Sequence, residues 1–272
     1  MEKIKQALEK ARMAHTVESL TIRDDKQKKR KMIASEINNI VYTQTKTFKY
    51  DEKYLRDRRV ITGHTSELIS DQYKVLRTQV TQRMKANQWN TLAITSPNEG
   101  CGKTITSINL SMSLARDVNH SVLLVDMDLR RPSVHTYFYS NEEFGISDYF
   151  DSNKELNEIF FNPGIERLVI LPGNRSIANS SEMLSSPITV TLVNELKNRY
   201  PNRLVIYDMP PLLSCDDVIA FAPYVDAVML VVEDEMTTNK DIKRSYELLE
   251  KFNVLGVVLN KSKNIETTSR YY

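Results

Sequence analysis

Two cysteines in 272 residues, Cys101 and Cys215, are too few for a disulfide framework. A redox role for Cys101 is conceivable from its place in the chain, but an incidental thiol is the plainer reading. No apolar run approaches the roughly 18 residues that a membrane span needs, and the N-terminus has no signal-peptide apolar core. The sequence therefore predicts a cytosolic protein. Internal repeats and low-complexity tracts are also missing, which leaves one α/β domain with an appendage as the reading that fits the length.

Net charge is almost missing too, at +2, but the charges are unevenly spread. Residues 1–60 hold 16 Lys/Arg against 9 Asp/Glu, and residues 61–272 hold 21 against 26. The basic excess peaks at Lys26-Gln27-Lys28-Lys29-Arg30-Lys31 and at Arg56-Asp57-Arg58-Arg59. A solvated arm is the bland reading. Attraction to anionic lipid headgroups is the sharper one, worth about 1 kcal/mol per basic residue near a surface. Nucleic acid is not expected as a partner, because no aromatic stacking pattern interleaves the charges.

What is present is a loop that few residue orders can build. Residues 96–104 read SPNEGCGKT, between the apolar run Leu92-Ala93-Ile94-Thr95 and a helix-like stretch from Ile105 to Ala115. A strand, a glycine loop ending in Gly-Lys-Thr, then a helix is the layout of a nucleotide-phosphate cradle. Backbone N–H groups of the loop and of the helix start point at anionic oxygens. Lys103 would reach the β- and γ-phosphates, and the Thr104 hydroxyl would ligate Mg²⁺. The common pattern has glycine where this chain has Pro97, and a bare Gly-Lys-Thr can also be an ordinary helix start.

Two further motifs narrow the choice. Val122-Leu123-Leu124-Val125 reads as a strand buried on both faces. It runs into Asp126-Met127-Asp128-Leu129-Arg130-Arg131-Pro132. Leu204-Val205-Ile206-Tyr207 reads the same way and ends in Asp208-Met209-Pro210-Pro211. Ligands of open α/β sheets gather at the carboxyl ends of strands, so these aspartates belong near the cradle. Asp208 there can hold the Mg²⁺ shell, usually through water. A strand followed by a solvated charged turn explains neither the Asp-x-Asp nor the order of the three motifs.

Together these residues resemble the bacterial tyrosine kinases, the BY-kinase family of capsule and exopolysaccharide systems. That family carries a modified Walker A, an apolar-Asp-x-Asp-x-Arg Walker A′ and an Asp-x-Pro-Pro Walker B. The resemblance runs from about Thr65 to Lys261. It includes ELISDQYKVLRT (67–78), Gly145-Ile146-Ser147-Asp148-Tyr149, Leu171-Pro172-Gly173, SEMLSSP (181–187) and GVVLN (256–260). The opening MEKIKQALEKAR is similar to the start of the exosortase-associated exopolysaccharide autokinases.

The resemblance implies a P-loop NTPase fold, ATP and Mg²⁺ as cofactors, and transfer of the γ-phosphoryl group to tyrosine in a neighbouring copy. It assigns phosphate and nucleotide contacts to Glu99, Gly100, Cys101, Gly102, Lys103, Thr104 and Ile105, with Asn260 reading the adenine edge. Catalysis falls to Lys103, Asp126 and Asp128, with Asp126 orienting or deprotonating the tyrosine hydroxyl. The metal falls to Thr104, Asp126 and Asp208, and the acceptors are Tyr271 and Tyr272. Asp71, Lys74 and Arg77 stand where the family has its ring-assembly pattern, with lysine in place of a forked arginine. Glu99 and Cys101 stand at the family's usual proline and glutamate positions, a change that backbone phosphate donors tolerate.

A separate membrane chain-length-control protein is the implied activator, which would hold the kinase at the inner face of the membrane. One rival is a Min/Par-type ATPase, although no lysine precedes Gly100 among Ser96-Pro97-Asn98-Glu99. The other is a non-catalytic ATP-binding regulator of polysaccharide export.

The periodicity predicts a mostly parallel sheet with helices on both faces. Strands are expected at 91–95, 121–126, 167–171, 203–208, 226–232 and 254–260, and helices at 66–83, 103–117, 187–199, 216–222 and 238–252. Residues 2–14 read as an amphipathic helix, and 15–60 as a linker with local helix near Ile33 to Ile40. The division is thus a basic N-terminal part (1–60), a kinase domain (61–262) and a tyrosine-bearing tail (263–272). The aromatic-rich stretch 133–165 reads either as satellite core or as a docking surface for a membrane activator.

Overall fold

Unbroken apolar runs such as Val122–Val125 become strands because only a sheet covered on both faces buries every one of their side chains. The computed structural model describes residues 45–48, 50–62, 65–138, 144–200 and 202–263. The helix expected at 2–14, the basic run 26–31, the helix near 33–40 and the tail tyrosines Tyr271 and Tyr272 lie outside those residues.

The described strands are β1 (Lys46–Thr47), β2 (Thr91–Thr95), β3 (Ser121–Asp126), β4 (Phe161–Asn162), β5 (Leu168–Leu171), β6 (Arg203–Asp208), β7 (Ala227–Glu233) and β8 (Val254–Asn260). They form one sheet in the order β1-β4-β5-β3-β6-β2-β7-β8. All neighbours are parallel except β4 and β5.

Alternate residues divide between two cores. Leu92, Ile94, Val122, Leu124, Leu204 and Ile206 face one layer; Ala93, Leu123, Val125, Val205 and Tyr207 face the other. The first layer holds helices α1 (Glu52–Asp57), α2 (Glu67–Ala86) and α3 (Lys103–Ala115). The second holds α4 (Ile146–Phe150), α5 (Leu156–Ile159), α6 (Ser180–Leu184), α7 (Pro187–Asn198), α8 (Asp217–Phe221) and α9 (Asn239–Leu249). Each fully buried Leu, Ile or Val contributes about 1.5–3 kcal/mol. Helix α3 is buried along most of its length, as a helix wedged between a sheet and another helix must be.

The reading of 15–60 as a linker fails for its last part. Strand β1 pairs with β4, and Leu55 and Val60 are buried in the first layer. Helix α1 stops in a Schellman turn: Val60 N–H donates to the Leu55 carbonyl at 3.0 Å and Arg59 N–H to that of Arg56 at 2.8 Å. The Asn109 side chain on α3 then binds the strap that follows, through Ile61 N–H at 2.9 Å and the Arg59 carbonyl at 3.1 Å. On its other side the strap grips the turn at Val134–Tyr137, where Tyr54 Oη and Arg58 Nε both donate to the Thr136 carbonyl.

In the aromatic stretch, Phe138, Phe150, Phe160 and Phe161 are buried, and Tyr137, Phe144 and Tyr149 pack against the cores. The satellite-core reading holds for those residues; Tyr139 lies outside the described ones.

At the other end of the sheet, Asp226 ties the start of β2 to α7. It accepts from Asn90 N–H (2.9 Å), Thr91 N–H (3.1 Å) and Thr91 Oγ1 (2.9 Å), and pairs with Lys197. Burial works against its charge, but Lys197 and these donors outweigh it and hold its carboxyl below the usual range. A depressed carboxylate stabilises the fold fully above its unfolded value near 3.9 and loses that contribution as pH falls through its folded value. Asp226→Asn is expected to cost about 1–3 kcal/mol at pH 7. Thermal unfolding followed from pH 7 to pH 3 should show the gap to wild type closing below about pH 4.

Candidate nucleotide and phosphotransfer site

Strands β3, β6 and β2 lie side by side, so their carboxyl ends open onto one cleft. Register alone puts Asp126 opposite Asp208 and Asp208 opposite Ile94. The chains leaving β2 and β6 stay together: Leu212 N–H donates to the Ser96 carbonyl, Leu213 N–H to that of Pro97, and Thr95 Oγ1 to that of Pro210.

Gly102 caps α3 with φ 88, in the left-handed region that favours glycine. A Cβ there would collide with the Asn260 side chain. Asn260 Nδ2 donates to the Cys101 carbonyl at 2.8 Å and so pins the loop from the end of β8. Cys101 is buried, with its Sγ 3.9 Å from Thr237 Oγ1. Ile105 packs on the first core layer. Glu99 faces out and pairs with Arg131 at 2.7 Å, bridging the phosphate loop and the Asp128 loop in the open.

Lys103 sits among the carboxylates. Its Nζ is 2.8 Å from Asp128 Oδ2, 3.6 Å from Asp208 Oδ2 and 3.2 Å from Thr104 Oγ1. Burial opposes its charge, but Asp208 and Asp128 more than offset that and raise its pKa. Thr104 Oγ1 donates to Asp208 Oδ2 at 2.7 Å, and Ser107 Oγ to Oδ1 at 3.0 Å. Burial raises the pKa of Asp208, against the pull of Lys103 and Thr104.

Asp126 is wholly buried and turned toward its own loop. Its Oδ2 accepts from Ser133 and Val134 N–H at 2.8 and 2.9 Å, and its Oδ1 from Asp128 N–H at 3.3 Å. Burial, then Asp208, push its carboxyl up to about 7. Gly173 fits against this carboxylate and Pro132, where a Cβ has no room.

Among the described residues no cluster of three His, Cys, Asp or Glu side chains forms a metal cage. The Thr104 hydroxyl beside one Asp208 carboxylate is instead an all-oxygen pair of the kind that fits Mg²⁺, which keeps waters and substrate phosphates as its other ligands.

Among the described residues the sequence-derived site residues thus converge, except for the assembly set; the tail tyrosines lie outside the described residues. On α2, Asp71 and Lys74 are exposed and pair with each other at 2.8 Å. Arg77 turns inward and donates to the Ser113 carbonyl at 3.1 Å. Sequence reasoning missed Ser107, although a small hydroxyl residue one helical turn after Lys103 is a visible signal. It also missed the Arg130 fork on buried Asp217, at 3.0–3.2 Å. That contact ties the Asp128 loop to α8, and 87 residues of separation hide it.

The sequence model of the AAA domain family matches residues 89–263. The chain is 29% identical over 206 residues to the putative tyrosine-protein kinase CapB of Staphylococcus aureus, covering 75% of this chain and 89% of that protein. It is 30% identical over 210 residues to the putative tyrosine-protein kinase EpsB of Ralstonia solanacearum, covering 76% of this chain but only 27% of EpsB. The chimerical protein CapA2B2 superposes with a TM-score of 0.69 and 25% identity over 86% of this chain and 99% of its own. The kinase domain of the Escherichia coli tyrosine kinase Etk gives 0.66 and 28% over 85% and 93%. MinD of Pyrococcus horikoshii, complexed with Mg-ADP, shares the fold at 0.53 and 22% over 64% and 72%.

Proposed function

Because the chain belongs to the AAA domain family and its relatives include named tyrosine-protein kinases, we propose that it transfers the γ-phosphoryl group of ATP to tyrosine. The observation that carries this reading is the Lys103–Asp128–Asp208 cluster, with the Thr104 hydroxyl on the Asp208 carboxylate. Phosphoryl transfer is mostly positioning and charge neutralisation. The loop amides from Gly100 to Thr104 and the Lys103 ammonium hold the triphosphate. Thr104 and Asp208 would hold Mg²⁺, which would supply neutralisation of the charge that develops on the transferred group. Asp126 orients the tyrosine hydroxyl and takes its proton, since a phenol with a pKa of about 10 needs a base at pH 7. Asp128 holds Lys103 until nucleotide arrives.

The acceptors are Tyr271 and Tyr272 of another copy, docked through the α2 face that carries Asp71 and Lys74. No helix of the described residues is long and apolar enough to cross a membrane. On the kinase reading, a separate membrane activator of the chain-length-control type would place the kinase at the inner membrane face, where it would regulate capsule or exopolysaccharide polymerisation. The Min/Par reading is weaker, because the MinD likeness is the poorer one and no lysine opens the loop.

The test is direct. Purified protein is incubated with ATP and Mg²⁺, with and without the cytosolic segment of a candidate activator, and blotted for phosphotyrosine. Signal that disappears when Tyr271 and Tyr272 are deleted supports an autokinase. ATP binding without phosphotyrosine, activator present, sinks the transfer reading in favour of a nucleotide-gated regulator.

A further inference from the structure

A concavity of about 380 Å³ lies beside the transfer site, lined by Asp57, Arg58, Arg59, Ser133, Thr136 and Tyr137. It forms where the strap after α1 crosses the turn that follows Asp126, and none of its residues has a place in the mechanism above. We propose that this concavity is a subsite for an aryl phosphate, a phosphotyrosine already formed on the acceptor segment.

Three observations carry the assignment. The first is backbone conformation. Arg59 occupies the left-handed position of the Schellman turn, with φ 61, a place where glycine is the unstrained residue. An arginine in a strained backbone position is consistent with a use for its side chain. No ion-pair partner holds the Arg59 guanidinium among the described residues.

The second is pre-organisation. The Arg58 guanidinium stacks 3.5 Å above the Tyr54 ring and spends its Nε–H on the Thr136 carbonyl at 2.9 Å. Its fork is therefore fixed in place, with the terminal N–H groups available to phosphate oxygens. Two arginines against Asp57 leave the lining cationic.

The third is position. Ser133 and Val134, whose N–H groups clamp Asp126, begin the wall that ends at Tyr137. Burial, then Asp208, raise the Tyr137 pKa, while Lys103 and Arg58 lower it, so this one side chain feels both the transfer centre and the concavity. A segment with two neighbouring tyrosines, as in Tyr271-Tyr272, could seat the phosphorylated one here while presenting the other to Asp126. The aromatic wall of Tyr137 suits a ring behind the phosphate. Choosing a tyrosine phosphate over other phosphomonoesters rests on the kinase reading.

The experiment measures binding, not transfer. The full chain is loaded with a non-hydrolysable ATP analogue and Mg²⁺, so that the phosphate loop is filled. It is then titrated with labelled tail peptide, plain or phosphorylated at the first of its two tyrosines, and with phenyl phosphate and inorganic phosphate as competitors. At least tenfold preference for the phosphopeptide is expected, with phenyl phosphate outcompeting inorganic phosphate. Arg59→Gly should remove the preference while leaving the melting temperature equal or higher, because glycine relieves the backbone, so misfolding cannot mimic the result. Arg58→Lys should weaken binding several-fold. Equal affinity for both peptides, full affinity in Arg59→Gly, or inorganic phosphate matching phenyl phosphate would each overturn the subsite. An active autokinase without phosphopeptide binding defeats the subsite alone. A silent protein that still binds the phosphopeptide defeats the transfer reading alone.

Discussion

Lys103→Met is expected to lower tyrosine phosphorylation by on the order of 10³-fold or more, the range for removing a fixed charge from a developing phosphoryl transition state. The same substitution should also destabilise the protein. Lys103 lies 2.8 Å from Asp128 and 3.6 Å from Asp208, both buried. Removing the cation leaves these carboxylates crowded with Asp126 and unpaired, at a cost of about 3–5 kcal/mol when they are all ionised. Crowded acids escape that cost by taking up protons. The carboxyls of Asp208 and Asp126, already raised, then rise further above the unfolded value near 3.9. An acid raised in this way destabilises the fold fully above its folded pKa, less and less between that value and the unfolded one, and not at all below the unfolded one. The melting-temperature gap to wild type should therefore be widest near pH 8, shrink toward pH 5, and narrow at neutral pH when millimolar Mg²⁺ is added. Calorimetry across pH, beside a phosphotyrosine blot, checks both halves. A variant as stable as wild type at pH 8 would show that Lys103 does not neutralise the cluster.

Asp126→Asn is the second large effect. As the proposed base, Asp126 should contribute about 10²–10⁴-fold, and its loss should fall on kcat, with KM for ATP little changed. Asparagine still offers one oxygen to Ser133 and Val134 N–H, so the turn should keep its shape. Steady-state kinetics on an acceptor peptide separates the two roles of this carboxylate. A drop below tenfold would mean that Asp126 only holds the loop, and the base would then be sought at Asp128, the carboxylate on Lys103.

Much of this site was legible because its parts are local. Two of the strands, short apolar runs, end on the site residues Asp126 and Asp208, the one ending at Thr95 leads into the glycine loop, and parallel pairing does the rest. The sheet residues sort cleanly into two faces for the same reason. What escaped notice depends on short or distant pieces. Strands β1 and β4 have two residues each, and α4, α5 and α6 have four or five, too few for a period to declare itself. The charged run from Arg56 to Arg59 looked like solvated linker because its folding signal is Leu55 and Val60, two apolar residues in a basic context. Arg77 shows the opposite limit. Its family pattern suggested an outward contact, but the chain's own Ser113 carbonyl was within reach, and no local pattern reports that.

Strand β6 is the seam of the sheet, joining β3 on one side to β2 on the other. The strand that carries the phosphate loop therefore has no neighbour until β6 has been made. On the ribosome, the 104 residues separating Thr104 from Asp208 take roughly 5–20 s to synthesise at about 5–20 residues per second. Through that interval the nascent polypeptide carries the glycine loop without its acidic partner. Prematurely terminated products that stop before Asp208 should thus be inert toward ATP.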